Sequence, residues 1–192
     1  MIRNIVRGFL RFFLIFVFRI KIVGAENVNT GSGLIVAPNH KSNWDPVMLG
    51  IATKRKLRFL AKSELFKNKL GSAFFKGLGA FPIERGKGDI GAVKTALKVL
   101  GEGEALLIFP EGTRKKDDDN APAKTGVVMI ASHAKTPIVP VYISGSYRWM
   151  SKITVTFGKP IDILEGVEGR MSKELMQEKA DMVLKTIRSL KV

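Results

Sequence analysis

Ala37-Pro-Asn-His-Lys-Ser-Asn-Trp-Asp45 is a polar turn set between two apolar runs. Leu34 to Ala37 enters it with the character of a short buried strand, and Pro46 to Thr53 leaves it with helical apolar spacing. Asp45 stands at the start of that helix, where an acceptor for free backbone N–H groups belongs, and Pro46 follows where a first turn tolerates it. His40 and Asp45 are five residues apart. On one continuous helix they would point roughly 140° away from each other. A turn between strand and helix removes that objection, because the chain folds back and lets the carboxylate reach the imidazole. Asp45 would then fix the tautomer of His40 and leave its other nitrogen as a base near neutral pH. The plainer alternative is that Asp45 only caps the helix and His40 bonds nearby backbone. Spacing alone does not separate the two.

Working outward, the 192-residue length fits a single domain with a substantial core, and 45% hydrophobic with 26% charged residues is ordinary for a globular chain. The formal net charge of +15 is not ordinary. Residues 1–85 hold fifteen Lys and Arg against four acids, and the remainder holds seventeen against thirteen. A field of that sign favours anionic partners such as lipid headgroups, phosphorylated substrates, an acidic carrier or nucleic acid. The chain has no cysteine, which excludes disulfides, cysteine-ligated zinc and a thiol nucleophile.

The segment from Met1 to Val23 is the most hydrophobic, yet its longest unbroken apolar run is Phe12 to Phe18. A spanning helix needs about 20 such residues. Projected at about 100° per residue, Arg3, Arg7, Arg11, Arg19 and Lys21 share one arc, with most of the Phe, Ile and Val opposite. That pattern predicts an amphipathic helix over residues 1–18 lying in the headgroup layer, ahead of one domain over residues 19–192; the alternative is a helix packed on the protein's own core. Interrupting arginines make it a poor signal peptide.

Strands are expected at Arg19 to Val23, Arg58 to Ala61, the apolar run after Gly79, Ala105 to Phe109, Pro137 to Ser144 and Lys152 to Phe157. Helices are expected at Lys69 to Leu78, with Phe74 and Phe75 either in the core or lining a groove, and at Ile90 to Leu100, Lys124 to Ala134 and Ser172 to Leu190. This alternation implies an α/β domain: a central, mostly parallel or mixed twisted sheet flanked by helices. Besides the opening turn, two polar blocks stand just beyond strand ends, Glu84-Arg85-Gly86 and Pro110-Glu-Gly-Thr-Arg114. That edge is where open α/β sheets bind ligands. Arg85 and Arg114 suit a bidentate grip on phosphate, Lys62 is a possible third cation, and a glycine such as Gly112 lets backbone N–H groups approach an anion. The basic cluster Lys54-Arg-Lys-Leu-Arg58 reads equally as a solvated loop or as a phosphate or membrane contact close to the site. The aspartates of Asp117 to Asn120 do not have calcium-loop spacing and read as an exposed loop, so no metal site is expected.

Asn39-His-x-x-x-x-Asp45, Phe81-Pro-Ile-x-Arg85, Phe109-Pro-Glu-Gly-Thr-Arg114 and Ile138-Val-Pro-Val141 resemble the four ordered blocks of the glycerolipid acyltransferases, over roughly Arg19 to Pro160. The resemblance is strongest to the bacterial 1-acylglycerol-3-phosphate O-acyltransferases. It implies transfer of a fatty acyl group from a thioester to lysophosphatidic acid, giving phosphatidic acid, at a site facing a membrane. It assigns His40 and Asp45 as the catalytic pair, and Arg85, Glu111, Gly112, Thr113 and Arg114 to acceptor binding and oxyanion stabilisation. It implies no cofactor beyond a co-substrate, acyl-coenzyme A or acyl carrier protein. The expected setting is the cytoplasmic face of the cell membrane, peripheral or monotopic, with anionic lipids as partners. Ala123-Lys-Thr-Gly126 keeps only part of a further block. Two other classes fit the residues less well. Ile143-Ser-Gly-Ser-Tyr147 lacks the framing glycines of a hydrolase nucleophile elbow. A basic binding module would explain the charge but not the His40/Asp45 spacing, and RNA-binding signatures are absent.

Overall fold

The computed structural model describes residues 8–9, 12–14, 16–83, 90–113 and 122–192. Seven strands form one sheet: β1 (Arg19–Val23), β2 (Leu34–Pro38), β3 (Leu57–Lys62), β4 (Ala80–Ile83), β5 (Ala105–Leu107), β6 (Ile138–Gly145) and β7 (Lys152–Phe157). Their spatial order is β1-β7-β6-β2-β5-β3-β4. Among the described residues the helices that follow β2 are α1 (Asp45–Ala52), α2 (Lys69–Gly77), α3 (Ile90–Gly101), α4 (Gly126–Ala134) and α5 (Lys173–Ser189).

Strand β2 shows why the sheet is central. All five of its residues are buried, and they alternate between two cores. Ile35 and Ala37 pack with α3, α4 and α5 on one side. Leu34 and Val36 pack with Met48 and Leu49 of α1, and with Leu14 and Phe18, on the other. A strand covered on both faces reads as an unbroken apolar run, which is what Leu34 to Ala37 is.

The pairing direction determines where function can sit. β6, β2, β5, β3 and β4 run parallel, so their C-terminal ends share one edge. β7 is antiparallel to β6, and β1 is parallel to β7. These two reversed strands therefore begin on that same edge, at Lys152 and Arg19. The helical residues just before β1 are thereby delivered to the edge where the polar blocks emerge. This is the mixed sheet expected from the sequence, with the reversal confined to β1 and β7.

Two expectations change here. The basic cluster Lys54–Arg58 lies at the opposite edge, where β3 begins, and does not adjoin the site. Its side chains hold the fold instead. Arg55 donates to the carbonyls of Val28, Thr30, Ser32 and Gly103, while Lys56 and Arg58 pair with Glu104. A guanidinium has enough donors to gather several loop carbonyls at once. Of the two readings of Phe75, the core one does not hold: the residue is only partly buried and tilts against Phe66, because α2 covers the margin of the sheet next to the edge strand β4.

The β6–β7 turn begins at Gly145, whose φ of 90° suits glycine. A Cβ there would lie 2.0 Å from the Lys152 carbonyl oxygen. Gly145→Ala is therefore expected to destabilise the domain by about 3 kcal/mol, from strain and from the displaced carbonyl together. Chemical denaturation of the two proteins measures it.

Candidate active site

The opening turn forms because the chain continues to pair with β6 after Pro38 ends the regular ladder. The Asn39 amide replaces the missing backbone bonds: its Nδ2 donates to the Ile143 carbonyl at 3.3 Å, and its Oδ1 accepts from the Ile143 N–H at 2.7 Å. Asn39 is buried. It fixes where the next residue, His40, leaves the sheet edge.

Asp45 then draws the turn around itself. It is fully buried and accepts four hydrogen bonds. Oδ2 takes the Lys41 N–H, the Ser42 N–H and His40 Nδ1, each at 2.8 Å. Oδ1 takes the Tyr147 hydroxyl at 2.7 Å. Of the two readings left open by the spacing, the imidazole pairing is the one found: Asp45 gathers backbone donors of the turn before α1 and holds the His40 ring, while Trp44 stands at the helix N-cap with no side-chain cap bond. A carboxylate only accepts, so Nδ1 carries the proton and Nε2 of the neutral ring has a free lone pair. The His40 side chain keeps 11% of its surface exposed, enough to meet a bound hydroxyl.

Two further contacts orient the ring. Phe109, in the loop after β5, stacks on it with centroids 3.8 Å apart and planes inclined by 24°. Glu111, nearly buried, accepts the His40 backbone N–H at 3.3 Å through Oε2. Glu111 thereby ties the loop after β5 to the backbone of the His40 turn. Gly112 adopts φ 72°, and its N–H closes a turn onto the Phe109 carbonyl at 3.0 Å. That N–H is occupied, so an oxyanion donor has to come from a neighbouring amide. Thr113 is exposed beside it. Lys62 is exposed at the end of β3, opposite Ile83 in register. It stands on the same edge as His40, next to the strand that leads to Arg85. Arg85, Arg114 and the Asp117 to Asn120 run lie outside the described residues.

The Tyr147 hydroxyl on Asp45 and the Phe109 ring on His40 are contacts of the site that sequence reasoning missed. Tyr147 comes 102 positions after Asp45, and no local spacing connects them. Burial and the Asp45 carboxylate push its phenol far above the usual tyrosine range, so it stays a proton donor to Asp45. His133, the other histidine, bonds the Met129 carbonyl one turn back in α4 at 2.8 Å and takes no part in the site. Among the described residues, no group of three His, Cys, Asp or Glu side chains could hold a metal ion.

Known proteins resemble this chain in sequence and in fold. The 1-acyl-sn-glycerol-3-phosphate acyltransferase of Bacillus subtilis is 38% identical over 127 residues, covering 66% of this chain and 63% of that protein. Its namesake from Streptococcus pneumoniae is 37% identical over 137 residues, covering 68% and 50%. The chain thus spans between half and two thirds of the length of these relatives. The crystal structure of the 1-acyl-sn-glycerophosphate (LPA) acyltransferase, PlsC, from Thermotoga maritima matches with a TM-score of 0.73 at 24% identity, over 97% of this chain and 80% of that one. It shares the fold. A family model described as Acyltransferase matches residues 19–144, the span from β1 through β6 that holds His40, Asp45 and Glu111, and the chain belongs to the acyltransferase family.

Proposed function

We propose that this chain transfers a fatty acyl group from a thioester, acyl-coenzyme A or acyl carrier protein, to the free hydroxyl of 1-acylglycerol-3-phosphate, giving phosphatidic acid. The observation that carries the reading is the 2.8 Å contact between His40 Nδ1 and a buried Asp45, at the ligand-accepting edge of an acyltransferase-family domain. The Bacillus and Streptococcus relatives are named for 1-acyl-sn-glycerol-3-phosphate, which supports that acceptor.

In this mechanism Nε2 of His40 takes the proton of the acceptor hydroxyl as its oxygen attacks the thioester carbonyl. The tetrahedral intermediate collapses by breaking the C–S bond, and the imidazolium returns its proton to the leaving thiolate. Asp45 stabilises the imidazolium between those two transfers. No enzyme nucleophile is required, in keeping with a chain that has no cysteine. A backbone N–H beside Gly112 would donate to the oxyanion, an interaction worth about 3 kcal/mol in comparable acyl transfers. Lys62, with Arg85 and Arg114, would hold the acceptor phosphate.

The reading includes attachment to the cytoplasmic face of the cell membrane, peripheral or monotopic. No helix among the described residues is long and apolar enough to cross a membrane. The helical residues before β1 turn Phe9, Phe12, Phe13 and Phe16 outward, each more than half exposed, while Leu14 packs into the core. An apolar face on a chain of net charge +15 suits an anionic lipid interface.

Labelled lysophosphatidic acid incubated with each donor in turn tests the reaction. Phosphatidic acid from at least one donor is expected. Acylation of a different lysolipid alone would replace the acceptor, and vesicle binding with neither thioester consumed would leave a basic membrane module. Cosedimentation tests the attachment: binding to anionic vesicles is expected to weaken at least tenfold at about 0.5 M salt, as screening removes the headgroup attraction.

A further inference from the structure

The turn from Gly145 to Ser151 has an inner and an outer side, and both bear on the site. On the inner side Tyr147 donates to Asp45 Oδ1 at 2.7 Å, and Lys41 Nζ, next to His40, donates to the Gly145 carbonyl at 2.9 Å. On the outer side Trp149 is 74% exposed and Met150 is 47% exposed. Met150 sits in the left-handed region (φ 58°), with its N–H bonded to the Val17 carbonyl at 2.8 Å. Phe18, the next residue, packs edge-on against the Tyr147 ring with centroids 5.9 Å apart. Ser151 closes the turn with bonds from its hydroxyl to the Ser146 and Arg148 carbonyls. The segment is therefore tied at once to the catalytic turn and to the end of the helical residues that expose four phenylalanines.

We propose that this turn seats the catalytic pair on a bilayer: Trp149 and Met150 enter the lipid interface beside the phenylalanine face, while Tyr147, a positioning residue, braces Asp45 from behind. The occupant is an anionic lipid surface. Exposed Trp, Met and Phe side chains supply amphipathic and apolar groups suited to the headgroup boundary. Arg148, Lys152 and Arg19, on or beside the turn, supply the matching charge. Because Trp149 and Tyr147 belong to one tightly bonded turn, the depth of the inserted indole sets the height of His40 above the lipid. The inference rests on the membrane-facing acyltransferase reading and adds a second insertion point and a brace to it.

The two tryptophans of the chain are Trp44 and Trp149, so Trp44→Phe leaves Trp149 as the sole reporter. With vesicles of anionic and brominated lipids, its emission is expected to shift to the blue and to be quenched. Trp149→Ser is expected to reduce partitioning about tenfold, as when one large aromatic leaves the interface. Vesicle-bound protein whose Trp149 stays unquenched, or Trp149→Ser partitioning like the parent, would overturn the proposal. Failure of the parent to bind vesicles would also overturn it, whereas the transfer assay judges the reaction separately.

The brace is tested by Tyr147→Phe, which keeps the ring against Phe18 and removes only the hydroxyl. A kcat lowered about tenfold is expected, with KM for both substrates within about twofold. Losing the bond to Oδ1 concentrates the carboxylate charge on Oδ2, the oxygen facing the imidazole. The acid limb of the rate profile is therefore expected to move to higher pH, a change that packing alone would not produce. Among the described residues, Glu111, which accepts the His40 backbone N–H, and Lys41, next to His40 in the chain with its Nζ on the Gly145 carbonyl, are unchanged in this variant. An unaltered kcat, or a fall with an unmoved acid limb, removes Tyr147 from the mechanism. If the parent shows no transfer, the proposed reaction fails; if the parent turns over and Tyr147→Phe equals it, only the brace fails.

Discussion

His40→Ala is expected to lower acyl transfer by roughly a thousandfold or more, within the range a positioned general base contributes. The residual rate would come from substrate binding and oxyanion stabilisation, which do not need the imidazole. The fold should survive. The ring is partly open to solvent, and Asp45 retains the Lys41, Ser42 and Tyr147 donors after the imidazole is gone. The costs are one lost hydrogen bond and a void beside Phe109, together about 1–2 kcal/mol. Three measurements separate chemistry from collapse: thiol release from the acyl donor, a thermal melt, and vesicle cosedimentation. Near-abolished thiol release with the other two close to the parent supports His40 as the base. A variant that keeps a tenth or more of the parent rate would remove His40 from that role, and the acyltransferase mechanism would need another base among residues on the same sheet edge.

Much of this site was legible before any coordinates, for a definable reason. Strand β2 is buried on both faces, so its residues could only be apolar, and the first polar residue after it had to mark the sheet edge. Parallel strands then repeat that logic, and the blocks after β2 and β5 converge because their strands end together. What was not legible depends on contacts between residues far apart in the chain. Tyr147 reaches Asp45 only because β7 reverses against β6 and turns the Gly145–Ser151 segment back over the catalytic turn. The Lys54–Arg58 cluster looked close to the site in sequence but enters β3 at the other end of the sheet. Strand direction, which charge clustering does not encode, put it there. Glu111 combined both cases: its block was recognisable, while its bond to the His40 backbone depended on how two loops approach each other.

Asp45→Asn separates the charge of the carboxylate from its shape. Oriented with the carbonyl oxygen in the Oδ2 position, asparagine can still accept from Lys41 N–H, Ser42 N–H and His40 Nδ1, the three 2.8 Å bonds that form the turn. Its amide group would then face the Tyr147 hydroxyl, which can accept as well as donate. The hydrogen-bond count is preserved, so the stability loss is expected to stay near 1–2 kcal/mol. The reaction fares differently, because a neutral amide gives much less stabilisation to the imidazolium formed when His40 takes the acceptor proton. A fall in kcat of about a hundred- to a thousandfold is expected, with little change in KM for either substrate. Asp45→Ala instead leaves the Lys41, Ser42 and Tyr147 donors without their buried partner, and is expected to cost about 3–5 kcal/mol and loosen the whole turn. Comparing kcat with the denaturation midpoint across the two variants is the decisive measurement. If Asp45→Asn retained parental kcat while Asp45→Ala lost both activity and stability, the carboxylate would serve only to shape the turn ahead of α1. A large kcat loss in the asparagine variant at near-parental stability requires its charge at the moment of proton transfer.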